Sequence, residues 1–129
     1  LGWAFKKNTN DTRESAAIYI ADILIENGAN IFVYDPKVTK QQMLSDLDYL
    51  NNRSSQENKN ALSYYSEPLK ACENSHAVAV ITEWDEFKSY DWHKIYDCVM
   101  SPAKVFDGRN ILDKQALKDI GFEVFSVGK

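Results

Sequence analysis

Three cationic side chains near the start of the chain are the first residues whose types and spacing suggest chemistry. Lys6 and Lys7 lie in a polar stretch after the stump of a strand, and Arg13 lies where a helix is expected to begin. Asp11 or Thr12 is a suitable N-cap for that helix. A helix that begins just past the carboxyl end of a strand directs unpaired N–H groups and partial positive charge into a crevice. The stretch therefore predicts a site for phosphate or another anion. The alternative is a solvated lysine pair beside an ordinary helix cap.

Helices and strands alternate along the rest of the chain, and the strand cores are uniformly apolar. Such strands are typical of a parallel sheet covered by helices. The predicted strands are 29–35, 62–65, 76–82, 103–106 and 122–127; the predicted helices are one ending before Asn27-Gly28, then 38–50, 68–74, 91–100 and 113–120; residues 51–60 are predicted to be a surface loop, and Thr82 the cap of a turn. We therefore predict one α/β domain over residues 1–129. It would have a Rossmann-like, doubly wound, mainly parallel sheet with helices on both faces.

In a sheet of this kind, ligands bind outside the carboxyl ends of the strands. Those ends are Trp3–Lys7, Tyr34–Pro36, Thr82–Trp84 and Asp107–Arg109, and two of them carry cations. Asp35 has the position of an acid that holds an NAD ribose, but the glycine fingerprint is missing after the first strand. Gly2 is followed instead by bulky residues. The sequence therefore favours Asp35 as a turn residue and a ligand other than NAD at this edge.

Composition narrows the classes of partner. The net charge of −4 argues against nucleic acid. The apolar runs are too short to cross a bilayer, so no membrane is expected. Cys72 and Cys98 lack metal-type spacing and are predicted to be free thiols in a reducing compartment. His76 and His93 lack partners for a triad or a metal site, so we predict no metal and no catalytic residue. The chain has no initiator Met and opens inside an apparent structural element, which leads us to expect a piece of a longer protein.

Four short motifs occur in order along the chain. They are Phe5-Lys6-Lys7 with Thr9 and Asp11-Thr12-Arg13-Glu14-Ser15, then Tyr34-Asp35-Pro36-Lys37, Thr82-Glu83-Trp84-Asp85 and Phe106-Asp107-Gly108-Arg109. Together they resemble the C-terminal UDP-binding domain of the nucleotide-sugar dehydrogenases, and most closely the branch that acts on UDP-glucose. The resemblance extends over the whole chain, with Asn8, Asn10 and Asn110 as departures from the family pattern.

The resemblance implies an activity and roles for four residues. Members of the family oxidise UDP-glucose to UDP-glucuronate in two steps that reduce NAD⁺. They combine an N-terminal NAD-binding domain and a central helical region, which carries the nucleophilic cysteine, with this C-terminal domain. By the resemblance, Phe5, Lys6 and Arg109 contact the UDP-sugar, and Arg13 reaches the NAD held by the other domain.

The resemblance also implies a cytoplasmic homo-oligomer. The fragment alone would be inactive, because it lacks both the glycine fingerprint and the nucleophile. Two alternatives remain open. One is a dehydrogenase for another nucleotide sugar, such as UDP-N-acetylmannosamine or GDP-mannose. The other is a non-catalytic α/β nucleotide-binding or interaction module.

Overall fold

The computed structural model describes residues 1–127, so the last two residues of the predicted domain lie outside the described part. Helices and strands alternate as predicted, except that two helices lie between the first two strands. The helices are α1 Ala16–Glu26, α2 Lys40–Leu50, α3 Ser55–Ala61, α4 Pro68–Cys72, α5 Trp92–Cys98 and α6 Lys114–Ile120, with a short 3₁₀ helix at Asp85–Ser89; the strands are β1 Ile31–Val33, β2 Leu62–Tyr64, β3 Val78–Val80, β4 Lys104–Asp107 and β5 Glu123–Ser126.

The strands are parallel and form two groups that the opening segment, residues 1–2, joins. β1 pairs with β2, and β4 lies between β3 and β5. The Leu1 nitrogen donates to the Ala79 carbonyl at 2.6 Å, and Ile81 N–H donates to the Leu1 carbonyl at 2.9 Å, which is the pattern of parallel neighbours. On the other side, Gly2 N–H donates to the Tyr34 carbonyl at 2.8 Å. The spatial order is β2, β1, opening segment, β3, β4, β5, which is the strand order of a Rossmann sheet.

A single apolar core lies between the sheet and the helices. Trp3, Met43, Leu47, Val80, Phe87 and Val105 are its most deeply buried large members. Phe106 and Phe125, on β4 and β5, stack with ring centroids 4.8 Å apart and are 43% and 45% exposed. The α/β class and the parallel, Rossmann-like sheet are confirmed.

The cap predicted for α1 is wrong. The helix begins at Ala16, and Ser15 is its N-cap: Ser15 Oγ accepts a hydrogen bond from Ala17 N–H. Asp11 is not available as a cap, because its carbonyl accepts Phe5 N–H at 2.8 Å and its carboxylate faces Arg13. Residues 11–14 therefore close the preceding loop.

The surface loop predicted at residues 51–60 is also wrong, because α3 occupies most of it. This helix has no apolar stripe, which is why the hydrophobic pattern did not reveal it. It is specified instead by a capping box between Ser54 and Glu57 and by the fully buried Asn58. Asn58 donates to Asp48 at 2.8 Å and accepts from Arg53 at 3.0 Å.

Thr82 does not cap the turn that follows β3. The 3₁₀ helix has Trp84 at its N-cap position, with no side-chain capping bond. Thr82 is fully buried, and its hydroxyl donates to the Ala4 carbonyl at 2.8 Å. The side chain thus joins the end of β3 to the opening loop.

Candidate functional site

Asp35 lies just past β1, at the edge of the sheet formed by the carboxyl ends of the strands, and its carboxylate binds the surrounding loops. It is 1% exposed. One carboxylate oxygen accepts Trp3 N–H at 2.7 Å, Ala4 N–H at 3.0 Å and the Trp84 indole N–H at 3.2 Å. The other oxygen accepts the N–H groups of residues 37–38. Because the chain itself fills this carboxylate, Asp35 is the turn residue that the sequence predicted.

The loop that follows Ala4 is closed from within. Phe5 N–H donates to the Asp11 carbonyl, so residues 5–11 form a loop whose two ends are hydrogen-bonded to each other. Within it, Asn8 adopts the left-handed conformation with φ of 64°. Asn tolerates this conformation better than most residues do.

The two neighbouring lysines of this loop are in different situations. Lys7 is held on both sides, since its N–H donates to Glu83 Oε1 at 2.8 Å and its ammonium lies 3.5 Å from Asp85. The Lys6 side chain is exposed and makes no hydrogen bond or ion pair within residues 1–127. Phe5 beside it is 49% exposed. The loop therefore presents one uncommitted cation and one aromatic ring.

Arg109, just past β4, is held by Glu83, just past β3. The Arg109 Nε–H donates to Glu83 Oε2 at 3.0 Å, and its Nη2 binds the same oxygen. The side chains are 33% and 27% exposed. Burial acts to raise the pKa of Glu83, but the hydrogen bonds from Arg109 and from Lys7 N–H outweigh it, and the pKa lies below its ordinary value.

Glu83 thus brings two of the predicted ligand positions to one edge of the sheet. One of its oxygens binds the loop that carries Phe5 and Lys6, and the other binds Arg109. Two cations and an aromatic ring at one edge of the sheet suit a ligand that has both anionic and ring-shaped parts.

Arg13 pairs with Asp11 and not with Glu83. Its side chain is 89% exposed, and its guanidinium grips Asp11 through Nε at 3.0 Å and Nη2 at 2.8 Å. This contact lowers the pKa of Asp11 to about 2. Within residues 1–127, Arg13 makes its side-chain hydrogen bonds to Asp11 and none to Glu83, the residue that joins Arg109 to the loop.

Glu83 is the member of this site that sequence reasoning missed. It was noted as part of a strand end and of a motif, but it received no role. The available signal was an acid at a strand end between two strand ends that carry cations.

Elsewhere in residues 1–127, no cluster of His, Cys, Asp or Glu is placed to hold a metal ion. None of the described helices has the length and apolar character needed to cross a bilayer. Both cysteines are free thiols, and burial raises the pKa of Cys72 to about 11.

Residues 1–114 match the family model of the UDP-glucose/GDP-mannose dehydrogenase family, UDP binding domain. The UDP-glucose 6-dehydrogenase of Drosophila melanogaster is 48% identical over 130 residues, which cover 100% of this chain and 27% of that protein. The UDP-glucose 6-dehydrogenase of Caenorhabditis elegans is 47% identical, with 99% and 26% covered. The chain therefore spans about a quarter of the length of these curated relatives.

A solved structure supports the fold. The NDP-N-acetyl-D-galactosaminuronic acid dehydrogenase of Methanosarcina mazei Go1 superposes with a TM-score of 0.74 over 99% of this chain and 23% of that one. The two sequences are 22% identical over the match. The similarity extends to the architecture of the whole described domain.

Proposed function

This chain belongs to the UDP-glucose/GDP-mannose dehydrogenase family as a UDP-binding domain, and we propose that it supplies the UDP-sugar site of a full-length UDP-glucose 6-dehydrogenase. In this proposal the enzyme oxidises UDP-glucose to UDP-glucuronate in two NAD-dependent steps. The observation that carries the proposal is that the loop with Phe5 and Lys6 and the side chain of Arg109 both bind Glu83, at one edge of the sheet. The identity to curated UDP-glucose 6-dehydrogenases supports the choice of substrate.

The three residues contribute different interactions with a UDP-sugar. Lys6 brings a compact charge to the diphosphate, whereas Arg109 offers a planar fork that can bind two oxygens at once. Phe5 provides an exposed apolar ring against which a base or a sugar can pack. In this proposal the ligand is held by its anionic centre and by its rings.

NAD fits poorly at the strand ends of this domain. The Asp35 carboxylate, which would meet a ribose in a dinucleotide site, already accepts five N–H groups of its own chain. We therefore assign NAD, which supplies the hydride acceptor when bound, to an N-terminal domain, and the nucleophile to a central region. Arg13 would reach across to the cofactor. The assembly is proposed to be a cytoplasmic homo-oligomer.

The test is a calorimetric titration of the full-length protein with UDP-glucose, UDP-N-acetylglucosamine, GDP-mannose and NAD⁺. We expect UDP-glucose to bind most tightly of the three sugar nucleotides. Lys6→Ala and Arg109→Ala should each lower kcat/KM for UDP-glucose. The loss of transition-state stabilisation that this represents should be about 2–4 kcal/mol, the scale of a lost charge-assisted contact. NAD⁺ affinity without substrate should change little.

Lys118→Ala is the matched control. It removes an exposed cation near the end of α6, next to the start of β5 and therefore at the opposite edge of the sheet. We expect wild-type kinetics from it. Preference for GDP-mannose or UDP-N-acetylglucosamine would reassign the substrate. Failure to bind any nucleotide would leave a module that kept the fold without the ligand.

A further inference from the structure

We propose that Glu83 is a positioning residue of the UDP-sugar site, which fixes Arg109 and the Phe5–Lys7 loop relative to each other before the ligand binds. The inference rests on the proposed function, since it concerns the same site. It adds a residue that contacts no ligand in the proposed binding mode and acts through its neighbours. Its basis is the position of Glu83 in the sheet and the way in which its two oxygens are divided.

Glu83 occupies the middle of three adjacent strand ends. In the sheet order, β3 lies between the opening segment and β4. Oε1 of Glu83 accepts Lys7 N–H at 2.8 Å on one side, and Oε2 accepts Arg109 Nε–H at 3.0 Å on the other. One carboxylate therefore sets the spacing between the two elements that carry the ligand-binding residues.

The contact with Arg109 uses only one edge of the guanidinium. Glu83 binds the Nε side and one Nη2 hydrogen, whereas Nη1 makes no hydrogen bond within residues 1–127. Arginine has five N–H donors in a fixed fork, so the far end keeps its donors for two oxygens of a ligand. A long and otherwise mobile side chain is thus held in one orientation, which reduces the entropy that binding must restrict.

Glu83 could instead compete with the ligand for Arg109, because both are anionic. The two roles predict opposite changes in ligand affinity when the charge of Glu83 is removed. If Glu83 mainly competed with the ligand for Arg109, removing its charge would strengthen binding. If it positions Arg109, removing its charge weakens binding. Glu83→Gln is the suitable change, because the amide keeps the size of the side chain and, with its oxygen on Lys7 N–H, turns a donor NH₂ group instead of an anionic oxygen towards Arg109.

The experiment is a double-mutant cycle with UDP as the probe, measured by calorimetry on the full-length protein. We expect Glu83→Gln to weaken UDP binding about tenfold, the effect of one lost hydrogen bond between charged groups. In the Arg109→Ala background the same change should have almost no further effect. The control is Glu123→Gln, the same change at an exposed glutamate at the start of β5, which lies at the opposite edge of the sheet. It should leave UDP affinity unchanged.

The outcomes separate this inference from the proposed function. If the wild-type protein does not bind UDP, the proposed function fails. If the wild type binds UDP and Glu83→Gln binds it equally well or more tightly, only the positioning role is overturned. An equal loss from Glu83→Gln in the Arg109 and Arg109→Ala backgrounds would also overturn it, because the residue would then act on the fold rather than through Arg109.

Discussion

Arg13 differs from Lys6 because it has an anionic partner, and from Arg109 because its side chain is far more exposed. It pairs with Asp11 in a contact that is largely exposed, with 89% of the arginine side chain open to solvent. Since α1 begins only at Ala16, Arg13 precedes the helix instead of opposing its dipole in the first turn. An exposed pair of this kind contributes little to stability and is easily exchanged for another anion.

We predict that Arg13→Ala in the full-length enzyme raises the KM for NAD⁺ more than the KM for UDP-glucose, because the proposed partner is the cofactor of the other domain. The melting temperature should stay close to that of the wild type. Steady-state kinetics with each substrate varied in turn will measure the split. A selective rise in the KM for UDP-glucose would instead assign Arg13 to the sugar site.

Glu83 also links the site to the pH dependence of stability. Its pKa in the folded protein lies below the ordinary value of 4.5. The folded state therefore binds the proton less readily than the unfolded chain does. The stabilisation is fully present above the unfolded pKa and is lost as the pH falls through the folded pKa.

We predict that the free energy of unfolding of the wild type exceeds that of Glu83→Gln above about pH 5, and that the difference shrinks as the solution is acidified. Urea titrations at a series of pH values will measure both. Glu83→Gln is its own control here, because it cannot ionise. A difference that stays constant from pH 7 to about pH 3 would show that the ion pair with Arg109 does not couple to folding.

At the level of elements, α3 depends on polar contacts that reach other helices. Arg53, whose side chain is 6% exposed, binds Asp22 of α1 at 2.7 Å and Glu26 at 2.9 Å. The same guanidinium also binds Asn58 at 3.0 Å. Asp22, which is 9% exposed, additionally accepts from Asn52 at 2.8 Å. The segment that begins α3 is thereby fixed against α1.

We predict that Arg53→Ala destabilises the protein by about 3 kcal/mol, since it leaves the buried Asp22 carboxylate without its cation. Ser54→Ala, at the next position, removes only the capping bond to Glu57 and should cost about 1 kcal/mol. Chemical denaturation will compare the two free energies of unfolding. Equal losses would mean that the Arg53 network adds nothing beyond the cap.

These elements show which parts of the structure the sequence could predict. The strands were found because runs such as residues 77–81 are apolar without alternation, and a parallel sheet follows from burial on both faces. α3 was not found, because its determinants are side-chain hydrogen bonds and it has no periodic apolar face. The N-cap of α1 is Ser15 and not Asp11 or Thr12, which were expected from the sequence. Phe5 N–H binds the Asp11 carbonyl instead, and no local propensity encodes that hydrogen bond.

The candidate site was predictable where it depends on strand order and not where it depends on side-chain contacts. The order of the strands places residues 3–7 and 107–109 at one edge of the sheet, and this common placement follows from topology. The contact of Glu83 with Arg109 joins residues 26 positions apart and depends on side-chain orientation. Only the folded arrangement shows that one carboxylate serves both neighbours.

For the whole molecule, the opening segment is the joint between two groups of strands. Leu1 bonds to β3 and its continuation, and Gly2 bonds to Tyr34 at the end of β1. Gly2 has φ of +95°, and a Cβ built on it would lie 2.5 Å from Thr82 Oγ1 and 2.7 Å from Thr82 N. The two halves of the sheet can therefore approach each other only if this position has no side chain.

We predict that Gly2→Ala costs about 3 kcal/mol of stability, from overpacking against Thr82 together with an unfavourable backbone conformation. Gly28→Ala is the matched control, since Gly28 also has a positive φ of +88° but no heavy atom within 4 Å of the added Cβ. It should cost only about 1 kcal/mol, from the backbone alone. Urea denaturation will measure both losses.

Because Thr82 also holds the Ala4 carbonyl, displacing it should shift the loop that carries Phe5 and Lys6. UDP affinity should therefore fall in Gly2→Ala and remain unchanged in Gly28→Ala. Similar losses of stability in the two variants, with UDP affinity intact in both, would show that the sheet tolerates a side chain at its joint.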